Sequence, residues 1–245
     1  MEKGYFIITG TSRGIGEALA ANLLEAGHSV LGVARSRSKR LEGERYTHLA
    51  FDLTETERVG AIVDKAVELA SGQDHTMVCL VQNASATEPV GLIEQCTTEA
   101  IEHHLKIGLL SPAALTARFI EAFGEAPVRR KVVFVSSGAA FSPMPGLSIY
   151  CTAKAGLHML AQTVGEEQKS KETEVEVVSI GPGMVDTDMQ AVVRGKSDND
   201  FPMGGLFQQA HTDGKLKDVD LVAARMAAML WERQEQGAYV EVGEV

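Results

Sequence analysis

A hydroxyl, a phenol and an ammonium fall within one short stretch of the chain: Ser137, Tyr150 and Lys154. Ser137 follows the apolar, β-branched run Val132–Val135, which reads as a buried strand. Tyr150 and Lys154 lie in a pattern that begins at Ser148 and recurs through Leu157 and Leu160 at helical spacing. Four residues apart on a helix, their side chains emerge on one face. A hydroxyl at the strand's end then faces a phenol and an ammonium from the next helix. The chemistry of such a set is proton transfer. A phenol near pKa 10 is a weak acid at neutral pH, and a nearby cation lowers that value by stabilising phenolate. Tyr-x-x-x-Lys alone is common by chance, and a packed tyrosine beside a solvated lysine is the plain alternative.

The elements around these residues change that balance. Short apolar runs at Tyr5–Thr9, Ser29–Ala34, His48–Phe51, Met77–Val81, Val132–Val135, Val175–Ile180 and Ala238–Val242 read as strands. Helical patterns lie between them, near Gly14–Glu25, Glu55–Leu69, Thr98–Phe123, Ile149–Lys169 and Asp218–Trp231. Strand alternating with helix calls for a parallel sheet covered on both faces. The expected fold class is therefore α/β: a single-domain Rossmann fold over residues 1–245, with a doubly wound parallel sheet of about seven strands and helices on both faces. One stretch, Asp186–Lys217, shows no clear period and carries Gly195, Pro202, Gly204 and Gly205. An irregular segment of that length inside a compact domain is expected to be a lid or binding loop.

The first turn, Gly10-Thr11-Ser12-Arg13-Gly14-Ile15-Gly16, sits directly after the first strand and opens the first helix. Glycines there admit a pyrophosphate close to the backbone, and the helix N-terminus offers amide donors and a positive dipole end. The spacing is G-x-x-x-G-x-G, and its strand–turn–helix context points to a dinucleotide. The second strand ends at Arg35, where a site selecting NAD(H) would place a carboxylate on the ribose. Arg35 with Arg13 suits a 2′-phosphate instead, so the expected cofactor is NADP(H). Asp52-Leu53 closes the third strand, where Asp52 either accepts a hydrogen bond from adenine or carries a helix N-terminal charge.

Taken together, Thr9–Gly16, Asn83-Ala84, Ser137, Tyr150-x-x-x-Lys154 and Pro182-Gly183-x-x-x-Thr187 resemble the short-chain dehydrogenase/reductase family in order and spacing. The stretches Ser-Gly-Ala-Ala, Ile-Tyr-Cys-Thr-Ala-Lys-Ala-Gly-Leu and Gly-Pro-Gly-Met-Val-Asp-Thr-Asp-Met-Gln are similar to its bacterial benzil reductases and sepiapterin-reductase-like members. The resemblance spans nearly the whole chain and is weakest over Val192–Lys217. It implies that Tyr150 is the general acid of a carbonyl reduction and that Lys154 holds the nicotinamide ribose and lowers the Tyr150 pKa. Ser137 would bind the carbonyl oxygen. The thirteen-residue step to Tyr150 picks Ser137 over Ser136, whose side chain should point to the opposite face of the strand. Pro182-Gly183, the Val185 backbone and the Thr187 hydroxyl would meet the nicotinamide end of the cofactor, with a capping role as the alternative for Thr187.

Two positions depart from the family. Its Asn-Asn-Ala-Gly reads Gln82-Asn83-Ala84-Ser85 here, and the position of its fourth catalytic residue, an asparagine that positions a relay water, is occupied by Gly108. A glycine leaves room for water without holding it. His103 and His104 lie near, but a direct replacement needs a four-residue offset, and His104 reads as a partly exposed helix residue. A slower reductase is expected.

Met144, Met184 and Met189 are candidate substrate contacts, joined by Phe201, Met203, Leu206 and Phe207 as a flexible apolar wall suited to a bulky ketone or 1,2-diketone. The competing readings are a pterin carbonyl reductase and a nucleotide-binding sensor or structural protein without turnover. A closed lid core is the alternative for the apolar residues, and Arg194, Lys196, Lys215 and Lys217 are expected to face water. With 23 basic against 33 acidic residues, net −10, the chain has no basic stripe for nucleic acid. No run is long enough for a membrane span and no signal peptide is read, so a cytoplasmic protein is expected. Cys79, Cys96 and Cys151 lack metal-ligand spacing and suit a reducing compartment. An apolar stripe of Ala153, Leu157, Leu160 and Ala161 suggests a homodimer.

Overall fold

Strands form where apolar residues run without a break, because a parallel sheet is covered on both faces. The computed structural model describes residues 2–196 and 201–243. Its strands are β1 Gly4–Thr9, β2 Ser29–Ala34, β3 Tyr46–Ala50, β4 Met77–Gln82, β5 Arg129–Val135, β6 Glu176–Gly181 and β7 Tyr239–Glu241. They pair in parallel in the order β3-β2-β1-β4-β5-β6-β7. The helices are α1 Gly14–Glu25, α2 Gly60–Ala70, α3 Thr98–Leu105, α4 Ser111–Phe123, α5 Ser148–Lys169, α6 Asp188–Arg194, α7 Gly204–Thr212 and α8 Val219–Trp231. Alternate strand residues divide between two cores. Phe6, Ile8, Cys79, Val81 and Val133 pack under Leu19 of α1 and Met226 of α8. Tyr5, Ile7, Val78, Leu80 and Val132 pack against Ile62 of α2, Phe119 of α4 and Leu157 of α5.

The chain runs outward from β1 through β2 to β3, then returns to place β4 on the other side of β1. The carboxyl ends of β1 and β4 thus border the switch point, where an open α/β sheet binds its ligand. Asn83, just past β4, fastens the two ends. Its amide Nδ2 donates to the Thr9 and Gly10 carbonyls at 3.0 and 3.2 Å, and the backbone amides of Asn83 and Ala84 both donate to Thr9 Oγ1 at 3.0 Å. That closeness dictates the glycines: a Cβ on Gly16 would lie 2.3 Å from the Gly10 carbonyl oxygen, and Gly10 itself has φ +77°.

Three elements differ from their sequence expectations. β5 begins at Arg129, upstream of the apolar run, because its charges are satisfied in place: Lys131 is fully buried and pairs with Glu176 at 2.8 Å, and Arg129 pairs with the same carboxylate at 2.7 Å. The helix expected over Thr98–Phe123 is broken by a π-helical turn at Lys106–Leu110. Pro112 has no N–H for the Gly108 carbonyl four residues back, and the widened turn accommodates that loss. The segment expected to be irregular folds into α6 and α7, with 197–200 outside the described residues. It leaves the sheet after Val185 and returns at Lys217, which form an isolated parallel bridge.

The α5 stripe proposed for a partner is spent internally. Ala153, Leu157 and Ala161 are buried, the last two within the chain's own second core. The homodimer expectation loses that support. No helix among the described residues is long and apolar enough to cross a membrane. Gly16→Ala is expected to destabilise the protein by about 1–3 kcal/mol through overpacking against the Gly10 carbonyl, read as a lower urea midpoint with an unchanged m-value.

Candidate active site

β5 ends at Val135, and the chain turns through Ser136 and Ser137 into a short 3-10 turn, Gly138–Ala140, which the Ser137 hydroxyl caps by accepting from the Ala139 amide at 3.2 Å. α5 starts eight residues beyond that turn and brings Tyr150 and Lys154 back over the end of β5. The Ser137 side chain lies near enough to the Tyr150 phenol to favour its ionised form. Lys154 stands with its ammonium 5.6 Å over the centre of the Tyr150 ring. Its Nζ donates to the Val135 carbonyl at 2.8 Å, and the residue is 4% exposed. The serine, tyrosine and lysine therefore converge at the carboxyl end of β5, one strand from the switch point. Ser136 points elsewhere, its hydroxyl buried without a partner among the described residues.

Burial governs the electrostatics. Loss of water pushes the Tyr150 phenol above its ordinary value, with the nearby Ser137 side chain pulling the other way. The depression expected from Lys154 does not figure among the causes. Burial also lowers the Lys154 ammonium to about 8. At neutral pH the tyrosine is a protonated donor and the lysine a cation in a poorly solvated position. Such a trio can polarise a carbonyl oxygen and hand it a proton.

The glycine loop has the form of an anion cradle. α1 opens at Arg13 without a side-chain cap, so its first-turn amides are available to a ligand. Ser12, Gly14 and Ile15 line this turn, and the tight approach of Gly10 and Gly16 lets the backbone itself be the contact surface. These residues fit a dinucleotide pyrophosphate. Arg35, just past β2, is exposed and forms no ion pair among the described residues. Arg13 is engaged: it pairs at 3.0 Å with Asp188 of α6. Asp52 accepts from the Thr54 amide and hydroxyl, both at 2.9 Å, which lowers its pKa and fixes the turn after β3. Its neighbour Leu53 is buried, and the Leu53 carbonyl accepts from Ser111 Oγ.

Past β6, Pro182 is buried and Gly183 takes φ +80°. Val185 is buried in the bridge to Lys217, and Thr187 caps α6 by accepting from the Gln190 amide at 3.5 Å. Met184 is exposed, while Met189 and Met144 are half-buried. A third apolar cluster joins Val90, Leu147, Val193 and the fully buried Phe201, with Met144, Tyr150, Met203 and Phe207 packed on it. The expected apolar wall is thus divided. Phe201, Met203 and Phe207 hold the segment against Tyr150, while Met184 and Leu206 stay exposed. Three of the four cations expected to face water are held by the chain and only partly exposed: Lys217 donates to the Val242 and Gly243 carbonyls, Arg194 pairs with Asp186 at 3.2 Å and Lys196 with Glu88 at 2.9 Å. A separate depression lined by Lys3, Gly27, Arg45 and His75 lies at the amino ends of the strands, the opposite end of the sheet from these residues.

Two contributors were not singled out by the sequence, and a third sits differently from its expectation. Thr9 Oγ1 knots the glycine loop to β4. Gln82, at the start of the departing motif, donates to the Pro112 carbonyl at 2.9 Å and Thr116 Oγ1 at 2.8 Å, tying β4 to α4. His104 is fully buried, where a partly exposed residue was expected, and its ring stands edge-on to Tyr150 at 6.0 Å.

A parallel sheet with a glycine-rich first turn and a Ser–Tyr–Lys cluster beside its switch point defines a dinucleotide-dependent oxidoreductase. The short chain dehydrogenase family model matches residues 5–198, and the chain belongs to that family. The chain is 30% identical over 239 residues to a benzil reductase ((S)-benzoin forming) of Bacillus subtilis, covering 98% of both sequences. It is 31% identical over 252 residues to the sepiapterin reductase of Meriones unguiculatus, covering 96% of this chain and 94% of that one. Among solved structures, the KRED1-Pglu enzyme superposes with a TM-score of 0.83 at 28% identity, over 97% of this chain and all of that one. The family uses nicotinamide cofactors.

The buried ammonium of Lys154 sets a stability test. Its native pKa of about 8 lies below the unfolded value of 10.5, so between these pH values the unfolded chain binds more protons and stability rises with pH. The cost is complete below about pH 8 and relieved as pH approaches 10.5. Lys154→Met is expected to raise unfolding stability at pH 7 by about 1–3 kcal/mol, an advantage that shrinks above pH 8. Urea titrations at pH 7 and 10 measure both.

Proposed function

We propose that this protein is an NADPH-dependent carbonyl reductase acting on bulky ketones and 1,2-diketones of the benzil type. The observation that carries the reading is the convergence of Ser137, Tyr150 and Lys154 at the carboxyl end of β5. NADPH, when bound, supplies the hydride. The chain's own residues do the rest. Ser137 and Tyr150 hold the substrate oxygen, and Tyr150, protonated at neutral pH, gives it a proton as negative charge develops there. Lys154 remains cationic at neutral pH and favours the resulting phenolate.

On this reading the amides of the α1 first turn hold the pyrophosphate, and Arg35 binds the 2′-phosphate from its exposed position. Arg13 joins it by releasing Asp188. Asn83 and Ala84 shape the floor of the cleft, and Gly183, Val185 and Thr187 its nicotinamide end. The segment 186–217 acts as the substrate lid, with Met144, Met184 and Met189 on its apolar lining. The names of the similar proteins favour two substrate classes, diketones first and pterin carbonyls second. The exposed apolar side chains Met184 and Leu206 favour the first.

One assay decides between reductase and non-enzymatic nucleotide binder: loss of NADPH absorbance with benzil, sepiapterin and simple aldehydes. Turnover is expected with benzil, and Tyr150→Phe is expected to lower kcat by about 100-fold or more. NADPH binding with no turnover of any carbonyl would sink the reading. Arg35→Ser is expected to weaken NADPH binding by about tenfold or more, with NADH binding little changed, because a charge-assisted contact is lost only to the 2′-phosphate. Fluorescence titration of both cofactors checks this.

A further inference from the structure

His104 is the buried polar group nearest the Tyr150 ring that the proposed chemistry does not use. The residue is fully buried at the end of α3, and its ring meets that of Tyr150 edge-on with centroids 6.0 Å apart and an 82° interplanar angle. Its Nδ1 lies 2.8 Å from the Glu88 carbonyl oxygen. A carbonyl only accepts, so Nδ1 carries the hydrogen and the neutral ring leaves Nε2 with a free lone pair. That Nε2 is buried and has no partner among the described residues. An imidazole fixed by one nitrogen, with an unpaired acceptor on the other, is costly unless the second nitrogen is put to use.

The surroundings show where Nε2 is aimed. A Cβ built on Gly108 would lie 3.6 Å from Nε2, 3.5 Å from the adjacent ring carbon and 3.2 Å from the Ala153 Cβ. A Cβ at 108 would therefore rest against the flank of the ring and press on Ala153, and glycine leaves that flank clear. Gly108 sits in the π-helical turn Lys106–Leu110, which immediately follows the helix that carries His104. Ala153 lies next to Lys154, whose ammonium is close enough to disfavour protonation of His104, though burial is the larger cause. Lys154 spends one N–H on Val135 and has two more.

We infer that His104 is a positioning residue of the proton supply: its Nε2 accepts a hydrogen bond from a water lying between it and the Lys154 ammonium. This rests on the reading of Tyr150 as the proton donor. The balance is simple. The phenolic O–H bond breaks as the product O–H bond forms, and the phenolate must regain one proton per turnover. That proton enters from bulk water through the water held at Nε2. His104 accepts a hydrogen bond throughout and exchanges no net proton. Lys154 is only 4% exposed, so a proton reaching it from bulk needs an ordered way in.

Two substitutions separate this role from simple packing. His104→Asn places an amide where Nδ1 was and keeps the bond to Glu88, but has nothing at Nε2. His104→Gln reaches the Nε2 position and gives up the Glu88 bond. A relay role predicts that Asn lowers kcat with benzil by about tenfold or more, with KM, NADPH affinity and Tm retained. It predicts that Gln keeps kcat within about threefold even where Tm falls. The reverse pattern, or full activity in both, overturns the inference. A second measurement does not depend on either variant folding: 15N NMR of the imidazoles in NADPH-bound wild type and in Lys154→Met. An unprotonated Nε2 whose resonance moves on Lys154→Met supports the inference, and a protonated or indifferent Nε2 overturns it. If wild type reduces no carbonyl at all, the functional reading fails, and the NMR result alone still decides whether His104 and Lys154 are linked.

Discussion

A positive charge held almost out of water governs the design of this site. Lys154 is fixed by the Val135 carbonyl at the end of β5, and its burial lowers the pKa to about 8. A lone buried ammonium is unfavourable, so the fold must hold it against the tendency of the helix to slide or the side chain to turn outward. It does so with α5, whose Leu157 and Ala161 are locked into the core beneath the sheet. The same burial raises the Tyr150 phenol. One environment thus shifts two groups in opposite senses: the phenol moves up, away from neutral, and the ammonium comes down to the upper edge of the neutral range.

The other half of the site depends on backbone closeness. The Thr9 hydroxyl and the Asn83 amide hold β1 and β4 together at their carboxyl ends, and Gly16 exists where a single methyl would meet the Gly10 carbonyl. Because these contacts involve main chain, they fix the cradle independently of what surrounds it. The position of Ser85, where the family has glycine, does not disturb them: its hydroxyl makes only a 3.4 Å contact with the Ala86 carbonyl.

Much of this was legible in the sequence because a strand buried on both faces reads as an uninterrupted apolar run, and because glycine spacing reports main-chain contacts directly. Ser137 could be preferred to Ser136 from its thirteen-residue step to Tyr150, and the structure brings Ser137 near Tyr150. What escaped was whatever depends on a partner distant in sequence. Arg129 and Lys131 look like loop residues until Glu176 is seen beside them. Asp188 claims Arg13 from 175 residues away. The two helices within 186–217 are short and broken by glycine and proline, so neither shows a period on its own. The full burial of His104 was hidden too, because a π turn interrupts the helical pattern between it and α4. Pro112 was the available signal for that break.

The segment 186–217 links these parts mechanically. At its start, Asp188 holds Arg13 of the glycine loop. At the end of α6, Lys196 pairs at 2.9 Å with Glu88, the residue whose backbone carbonyl orients His104. Phe201 anchors the middle in the apolar cluster that also packs on Tyr150. A displacement of this segment therefore reaches the glycine loop, the phenol and the support of the imidazole together. The outer contacts are exposed ion pairs, which contribute little individually and exchange readily. The fully buried Phe201 is the stronger hold.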